Sequence, residues 1–426
     1  MPQSARRTDR PAARRRAYKL FVPALTLLSL ALALPAGAFG AGAGGWITQT
    51  SGSTAKLNAV AFSDEARGWA VGAGGAILAT TNGGANWTAK VSGTTVGLLG
   101  VAFPDATHGW AMGGYGGVIR ATSDGGETWT SQVSWTEKWL GPVTFFDITH
   151  GWALGNANWG GGIVLVTTDG VTWSAQITSA TNQYLTGIAF SDDTHGLAVG
   201  SAGTIIATSD GGATWIARTS GTTQYLNGVA FPDETHGFAV GNAGVILATS
   251  DGGATWSPQV SGTTAALYAV AFTDATHGWA VGYAGIILAT SDGGATWLPQ
   301  SSGTTQYLYA VAFPDSSHGW AVGANGAIVA TTSGGFPPAP AAPSITKLLP
   351  AAGRRGATVT ISGSDFGAAQ GAGSVKFGAK TCTKYVSWSA AQIKCRVPTA
   401  AKYGSLKVTV TTTGGASNAM SFTVKR

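Results

Sequence analysis

Charge is scarce in this chain. Asp, Glu, Lys and Arg make up 10% of its 426 residues, against about a quarter in an ordinary globular protein. With 44% hydrophobic residues, so little charge excludes a mainly disordered chain, because such a sequence buries a large core. Cysteine is nearly absent: two residues exclude a disulfide-dense scaffold and a multi-cysteine zinc protein. No apolar run after residue 34 is long enough for a membrane-spanning helix. A phosphate-binding loop with its Lys, a His-Glu-x-x-His zinc motif and a nucleophile elbow are all missing. What abounds is glycine, 64 residues, together with 16 Trp and many Thr and Val, a composition of short strands joined by tight turns.

Charge is also unevenly placed. Residues 1–44 carry seven Lys or Arg and one acid, residues 45–335 six and 17, and residues 336–426 twelve and one. An acidic body thus lies between two basic ends, and the overall pI of 9.3 gives no reason to expect nucleic-acid binding by the body. Segment 1–44 reads as an export signal. Arg6, Arg7, Arg10, Arg14, Arg15, Arg16 and Lys19 precede an apolar stretch from Leu20 to Leu34. Small residues then allow cleavage near Ala38. An uncleaved anchor is the alternative, but the apolar stretch is short for a membrane span. The protein is expected to be secreted or associated with the cell envelope, and to meet the membrane only through this signal.

A repeat fills 45–335. Gly-(Trp/Leu/Phe)-Ala recurs at Trp69, Trp110, Trp152, Leu197, Phe238, Trp279 and Trp320, at intervals of 41 to 45 residues. Ser-Asp-Gly-Gly-Ala-Thr-Trp stands at 209–215, 250–256 and 291–297, with variants at 81–87, 123–129 and 168–173. Repeats of this length with four short strands each mark a β-propeller. One unit is parsed as strand A at 226–231, B at 237–241, C at 245–249 and D from Trp256. Three positions before the strand A Phe every copy is small: Ala59, Gly100, Pro142, Gly187, Gly228, Ala269, Ala310. Such residues suit the innermost strands, which crowd one axis. The seventh copy stops at Gly335 without a strand D, and residues 46–50 are expected to supply it, closing the ring without an exposed edge.

The element Thr122-Ser-Asp124-Gly-Gly126-Glu-Thr128-Trp129 and its copies resemble the Asp box of the bacterial neuraminidase repeat. With the His-Gly-Trp-Ala-Val-Gly element, region 45–335 resembles the photosystem II assembly-factor-like propellers. A Pro-rich linker, 336–342, follows. Residues 343–426 resemble an IPT/TIG domain on Pro343-x-Ile345, Val359-Thr-Ile361-x-Gly363, Phe366-Gly367, Val375-x-Phe377-Gly378 and Val397-Pro398. The expected fold is all-β, a seven-bladed β-propeller followed by an immunoglobulin-like β-sandwich. The resemblance implies a binding, spacer or assembly role.

Catalysis is not expected. The six His, at 108, 150, 195, 236, 277 and 318, share one repeat slot, so a ring keeps them too far apart to share a metal. The box acids Asp124, Asp169, Asp210, Asp251 and Asp292 share another slot and read as turn acceptors for backbone N–H groups. A sialidase needs an arginine triad, whereas 45–335 holds only Arg67, Arg120 and Arg218 at three unrelated slots. Acid pairs such as Asp192-Asp193 lie in turns of different blades, unlike the facing carboxylates of a glycosidase. No cofactor and no metal is expected. The reading is an exported, non-catalytic, monomeric binding or scaffold protein that recognises a glycan or protein partner at the cell envelope. The alternatives are a secreted sialidase- or glycosidase-like enzyme, and an assembly factor for a membrane complex of photosystem II type.

Subtracting the repeat isolates the candidate site. Twelve Trp occupy repeat slots and Trp388 lies in the sandwich. The remaining Trp135, Trp139 and Trp159 all belong to the third unit. With Glu137, Lys138, Asn156 and Asn158 they form a candidate ligand patch on the face opposite the Asp boxes, where Tyr184, Tyr225 and Tyr307 also fall. Cys382 and Cys395, 13 residues apart in two strand-like segments of an exported protein, are expected to form a disulfide.

Overall fold

The structure, a computed structural model, describes residues 45–156, 161–177, 180–336 and 341–426. The export signal, Asn158 and Trp159 lie outside them. Seven four-stranded antiparallel sheets form the blades. Blade I spans 57–90, II 100–132, III 139–177, IV 185–218, V 226–259 and VI 267–300. Blade VII joins 308–331 to the N-terminal strand Ile47–Gln49, which pairs with Ile328–Thr331 through Ile47↔Ala330, Thr48↔Val329 and Gln49↔Ile328. The ring is therefore closed by the first segment of the propeller. Strand D begins one residue later than the box Trp, as at Ser257 after Trp256, because the Trp ends the turn.

The recurring Trp, Phe and Gly form one interblade joint. Except in blade V, where Phe231 packs against Leu197, the strand A Phe stacks flat on the strand B aromatic of the blade before it, as Phe62 on Trp320 and Phe103 on Trp69, with centroids 3.6 and 3.4 Å apart. The same Phe meets its own box Trp edge-on, Trp87 and Trp129 respectively. Glycine at the head of strand B is required there: a Cβ on Gly68 or Gly109 would strike the Phe ring. The strand B Trp donates its indole N–H to a box carbonyl of the next blade, as Trp69 to Gly125 (2.9 Å) and Trp110 to Gly170 (3.0 Å). Apolar side chains fill the space between, for example Leu57, Val60 and Leu78 of blade I against Val322 and Ile328 of blade VII. Strands run up and down, so A–B and C–D turns share one face and B–C turns and D–A loops the other.

Residues 344–425 form two packed sheets, one of 344–349, 358–364, 392–396 and 385–388, the other of 352–354, 420–425, 404–412, 374–377 and 380–381, with 415–416 beside 404–412. Val359, Ile361, Phe377, Ile393, Val408 and Phe422 fill the space between them. The expected disulfide is not formed: Cys382 and Cys395 are buried free thiols. They are hydrogen-bonded to each other, which holds the Cys382 thiol down at about 7 against the opposing effect of burial, and pushes Cys395 far up. Cys382 also donates to the Arg396 carbonyl (3.2 Å). A pair this close needs little movement to oxidise. Incubation with glutathione disulfide, which accepts the two electrons and is released as two thiols, is expected to close the bond. Alkylation of the denatured, unreduced protein would then fall from two labels to none, and two labels would refute the expectation.

Candidate functional site

A fully buried Leu stands within two residues of the start of each strand A, at 57, 98, 140, 185, 226, 267 and 308. The residue before it sits at the mouth of the central channel: Lys56, Gly97, Trp139, Tyr184, Tyr225, Ala266, Tyr307. Its carbonyl accepts a bond from the neighbouring B–C turn, as Lys56 from Ala73 N–H (2.8 Å) and Tyr225 from Asn242 N–H (2.9 Å). The last Gly of strand B, such as Gly72 or Gly241, lies against that carbonyl, and a Cβ there would collide with it. The rim side chains thus stand on a rigid collar.

The residue after the Leu faces the channel, which encloses about 340 Å³. In blades I, IV and V it ties adjacent blades together: Asn58 donates to Leu98 O (2.8 Å), Thr186 to Leu226 O (2.6 Å) and Asn227 to Leu267 O (2.7 Å). Blades VI and VII instead carry Tyr268 and Tyr309, which make no such tie. Their rings lie 5.5 Å apart. Tyr307 lies 6.3 Å from Tyr309 and 4.7 Å from Tyr283, and the Lys56 ammonium sits 4.1 Å above the Tyr309 ring. A hydrogen bond with Tyr283 raises the Tyr307 hydroxyl above the usual tyrosine range, and burial does so first for Tyr268 and Tyr225. The hydroxyls of Tyr307, Tyr268 and Tyr225, raised in this way, are neutral at physiological pH.

Across the mouth, Trp139 opens the first strand of blade III and stacks near Tyr115 of a blade II B–C turn, with centroids 6.2 Å apart and planes 21° from parallel. Trp135 and Glu137 are exposed and Lys138 is half-buried. Asn156 departs from the sequence reading. Its side chain donates to Leu185 O (3.0 Å) and accepts from Leu185 N–H (3.1 Å), and so binds blade III to blade IV. Tyr115, Tyr268, Tyr283 and Tyr309 escaped the sequence reading. The available signal was that all seven Tyr of 45–335 fall in strand A starts, D–A loops or B–C turns, hence on one face.

The opposite face carries 16 of the propeller's 17 carboxylates. Asp251 accepts from the hydroxyl of Thr255 (2.6 Å) and its backbone N–H (2.8 Å), which hold its carboxyl down at about 2. The other box acids, Asp124, Asp169, Asp210 and Asp292, are engaged in the same turns and lowered as well. In the A–B turns Asp105 accepts from the N–H groups of Thr107 and His108 and from the His108 ring (2.9 Å). Burial alone would raise it, but these bonds bring it down to about 2. Among the described residues Glu65, Asp315 and His318 bring ligand-type atoms within 4.8 Å. Asp315, however, is occupied by Ser317 and His318, ring included, so no free ligand set converges.

A pH prediction arises here. These carboxyl groups have folded values below their unfolded value of about 3.9, so their stabilisation is complete above that value and lost as pH falls toward 2. The melting temperature followed by circular dichroism is expected to hold from pH 7 to 4 and to fall steeply from 4 to 2. A flat profile over that window would show the turn bonds to be energetically idle.

The comparisons agree with this architecture. The family model described as "Photosynthesis system II assembly factor YCF48" matches residues 39–165, 165–225 and 259–307, more than half of the chain, and an IPT/TIG domain matches 343–424. No curated protein matches the sequence. The solved structure "YCF48 bound to D1 peptide" aligns with a TM-score of 0.57 at 19% identity, covering 68% of this chain and 97% of that one. YCF48 from Cyanidioschyzon merolae aligns at 0.58 and 21%, covering 67% and 98%. Virginiamycin B lyase from Staphylococcus aureus aligns at 0.57 and 13%, covering 67% and 98%, a likeness of fold alone. With seven blades and a family match over most of the propeller, the chain belongs to the photosynthesis system II assembly factor YCF48 family.

Proposed function

We propose that this protein is a non-catalytic assembly-type binder that holds a polypeptide segment of a partner protein across the channel mouth. One observation carries the reading: two blades replace an interblade tie by Tyr268 and Tyr309, which join Tyr307, Tyr283 and Lys56 in a rim of rings and hydroxyls. Such a surface offers rigid apolar area with polar edges at low entropic cost, as binding hot spots do. The relative solved with a D1 peptide supports a peptide as the class of ligand. Sixteen of the 17 propeller carboxylates lie on the other face, where the box and A–B-turn aspartates are engaged by local bonds, which supports a binder over a hydrolase. The basic, then apolar, segment 1–44 supports export to the cell envelope as the place of action.

The test is direct titration of the full chain with a fluorescent D1 peptide and with peptides selected from a random displayed library. Binders that compete for one site and are lost on substituting Tyr268 and Tyr309 are expected. Selected peptides indifferent to those substitutions would overturn the site, and binding to an arrayed glycan with no peptide bound would replace polypeptide by saccharide as the ligand class.

A further inference from the structure

We infer that the aromatic face also docks on an anionic lipid bilayer, with Trp135 and Tyr115 as interfacial anchors outside the peptide-binding rim. The first observation is the backbone of Trp135. In five other D–A loops the residue after the loop Ser is glycine, Gly52, Gly93, Gly221, Gly262 and Gly303, at φ of 67° to 74°. The loop needs that left-handed conformation, which glycine adopts freely and bulky residues avoid. Blade III places Trp135 there at φ 52°. The strained residue is not packed into a core, since its side chain is 78% exposed. Tyr115, in the adjacent B–C turn, is 75% exposed. Neither ring is buried in a core, Tyr115 meeting the rim Trp139, and strain retained at the exposed Trp135 points to a role in recognition.

Charge selects the partner. This face has a single carboxylate, Glu137, beside Lys56 and Lys138. The Arg120 guanidinium also reaches it, donating to Gly93 O (2.7 Å) in a D–A loop. The other 16 propeller carboxylates point to the far side. A molecule so polarised turns its aromatic face toward a negative plane and its acidic face away from it. Trp and Tyr are the residues that settle at the headgroup level, where the ring is half apolar and the N–H or O–H stays wet. Trp135 stands exposed in a D–A loop, which suits a soft planar surface. Among the described residues no helix is long and apolar enough to cross a membrane. The Lys-rich sandwich, with exposed Lys376, Lys380, Lys384 and Lys402, adds unspecific attraction to the same lipids.

The experiment is flotation of the full chain with phosphatidylcholine vesicles with and without phosphatidylglycerol, at low and high salt. Strong binding to the phosphatidylglycerol vesicles at low salt is expected, falling with salt. In the variant Trp135→Gly with Tyr115→Ser the first change restores the glycine that five other loops use and the second lies at an exposed turn residue, so its melting temperature should be equal or higher. Its partition onto those vesicles should drop about tenfold, while peptide affinity in solution stays unchanged. Absence of vesicle binding, or binding that the double substitution leaves intact, overturns the inference, the latter result assigning the attraction to the sandwich lysines. Loss of peptide affinity without loss of vesicle binding overturns it as well, because Trp135 would then be a protein-binding residue. Failure of the rim reading would be separate, seen as absent peptide binding by the unsubstituted protein.

Discussion

Deleting residues 45–50 is expected to unfold the propeller or drive it into aggregates at temperatures where the full chain is folded. Three contributions disappear together. Trp46 is buried, lies 5.7 Å from Phe313 edge-on and donates to Gln300 (2.6 Å); truncating such a residue costs about 3–5 kcal/mol. The pairing with Ile328–Thr331 is removed, at about 1 kcal/mol for each bond. The sum approaches the whole stability of an ordinary domain, about 5–15 kcal/mol. The third contribution is topological. Strand Ile328–Thr331 is buried along its length, and without its partner it becomes an apolar open edge, the usual start of intermolecular pairing. Trp46→Ala should lower the melting temperature while leaving a monomer, because the ladder survives; the deletion should also change the elution volume. A monomeric deletion variant with unchanged melting would show that the ring does not depend on this closure.

How much could be read beforehand depended on how strictly the repeat constrained each position. Blade number, strand B limits and the closing strand were legible because Gly-Trp-Ala-Val-Gly and the Asp box recur with the same geometric duty in each copy: Gly68 must make room for Phe62, and Trp69 must reach Gly125. Departures from the repeat were legible as departures but not as structure. Asn156 looked like a loop ligand and instead imitates a strand partner for Leu185, which requires knowing the register between blades III and IV. Trp135 stood out as an extra Trp, but its meaning lies in a φ that its five glycine counterparts share, and no side-chain pattern displays a dihedral. Tyr268 and Tyr309 were hidden within ordinary strand A sequence. Only the observation that Asn58, Thr186 and Asn227 bridge blades from that slot turns two tyrosines into a deviation. The thiols of Cys382 and Cys395 were placed correctly as neighbours, although Cys382 falls just past the strand 380–381, while their bonding state is a matter of redox chemistry that spacing does not fix.

That same slot supplies the sharpest test of the rim. Tyr268→Asn with Tyr309→Asn restores the side chain that blades I and V use there, so each new Asn can donate to the carbonyl of the next strand A Leu, as Asn58 does to Leu98 and Asn227 to Leu267. One further interblade bond apiece is worth about 1 kcal/mol, which offsets the removal of ring packing at the half-open mouth. The melting temperature of the double variant is therefore expected to stay within a few degrees of the parent. Binding should respond in the opposite way. The two rings lie 5.5 Å apart, and one of them carries the Lys56 ammonium, so their removal dismantles this paired aromatic surface at the mouth and frees Lys56 into water. Tyrosine hot spots contribute about 2 kcal/mol or more each when truncated. The pair should thus weaken a bound segment by about three orders of magnitude, seen as loss of saturation in fluorescence anisotropy at any practical concentration. A control at the remaining apolar copy of the slot, Leu99→Asn in blade II, changes the channel on the side away from blades VI and VII. It should shift affinity by no more than a few-fold. If Leu99→Asn and the tyrosine pair weaken binding equally, the ligand is held by the channel as a whole and the rim assignment is wrong. If the tyrosine variant binds normally while remaining folded, the segment is held elsewhere on the propeller.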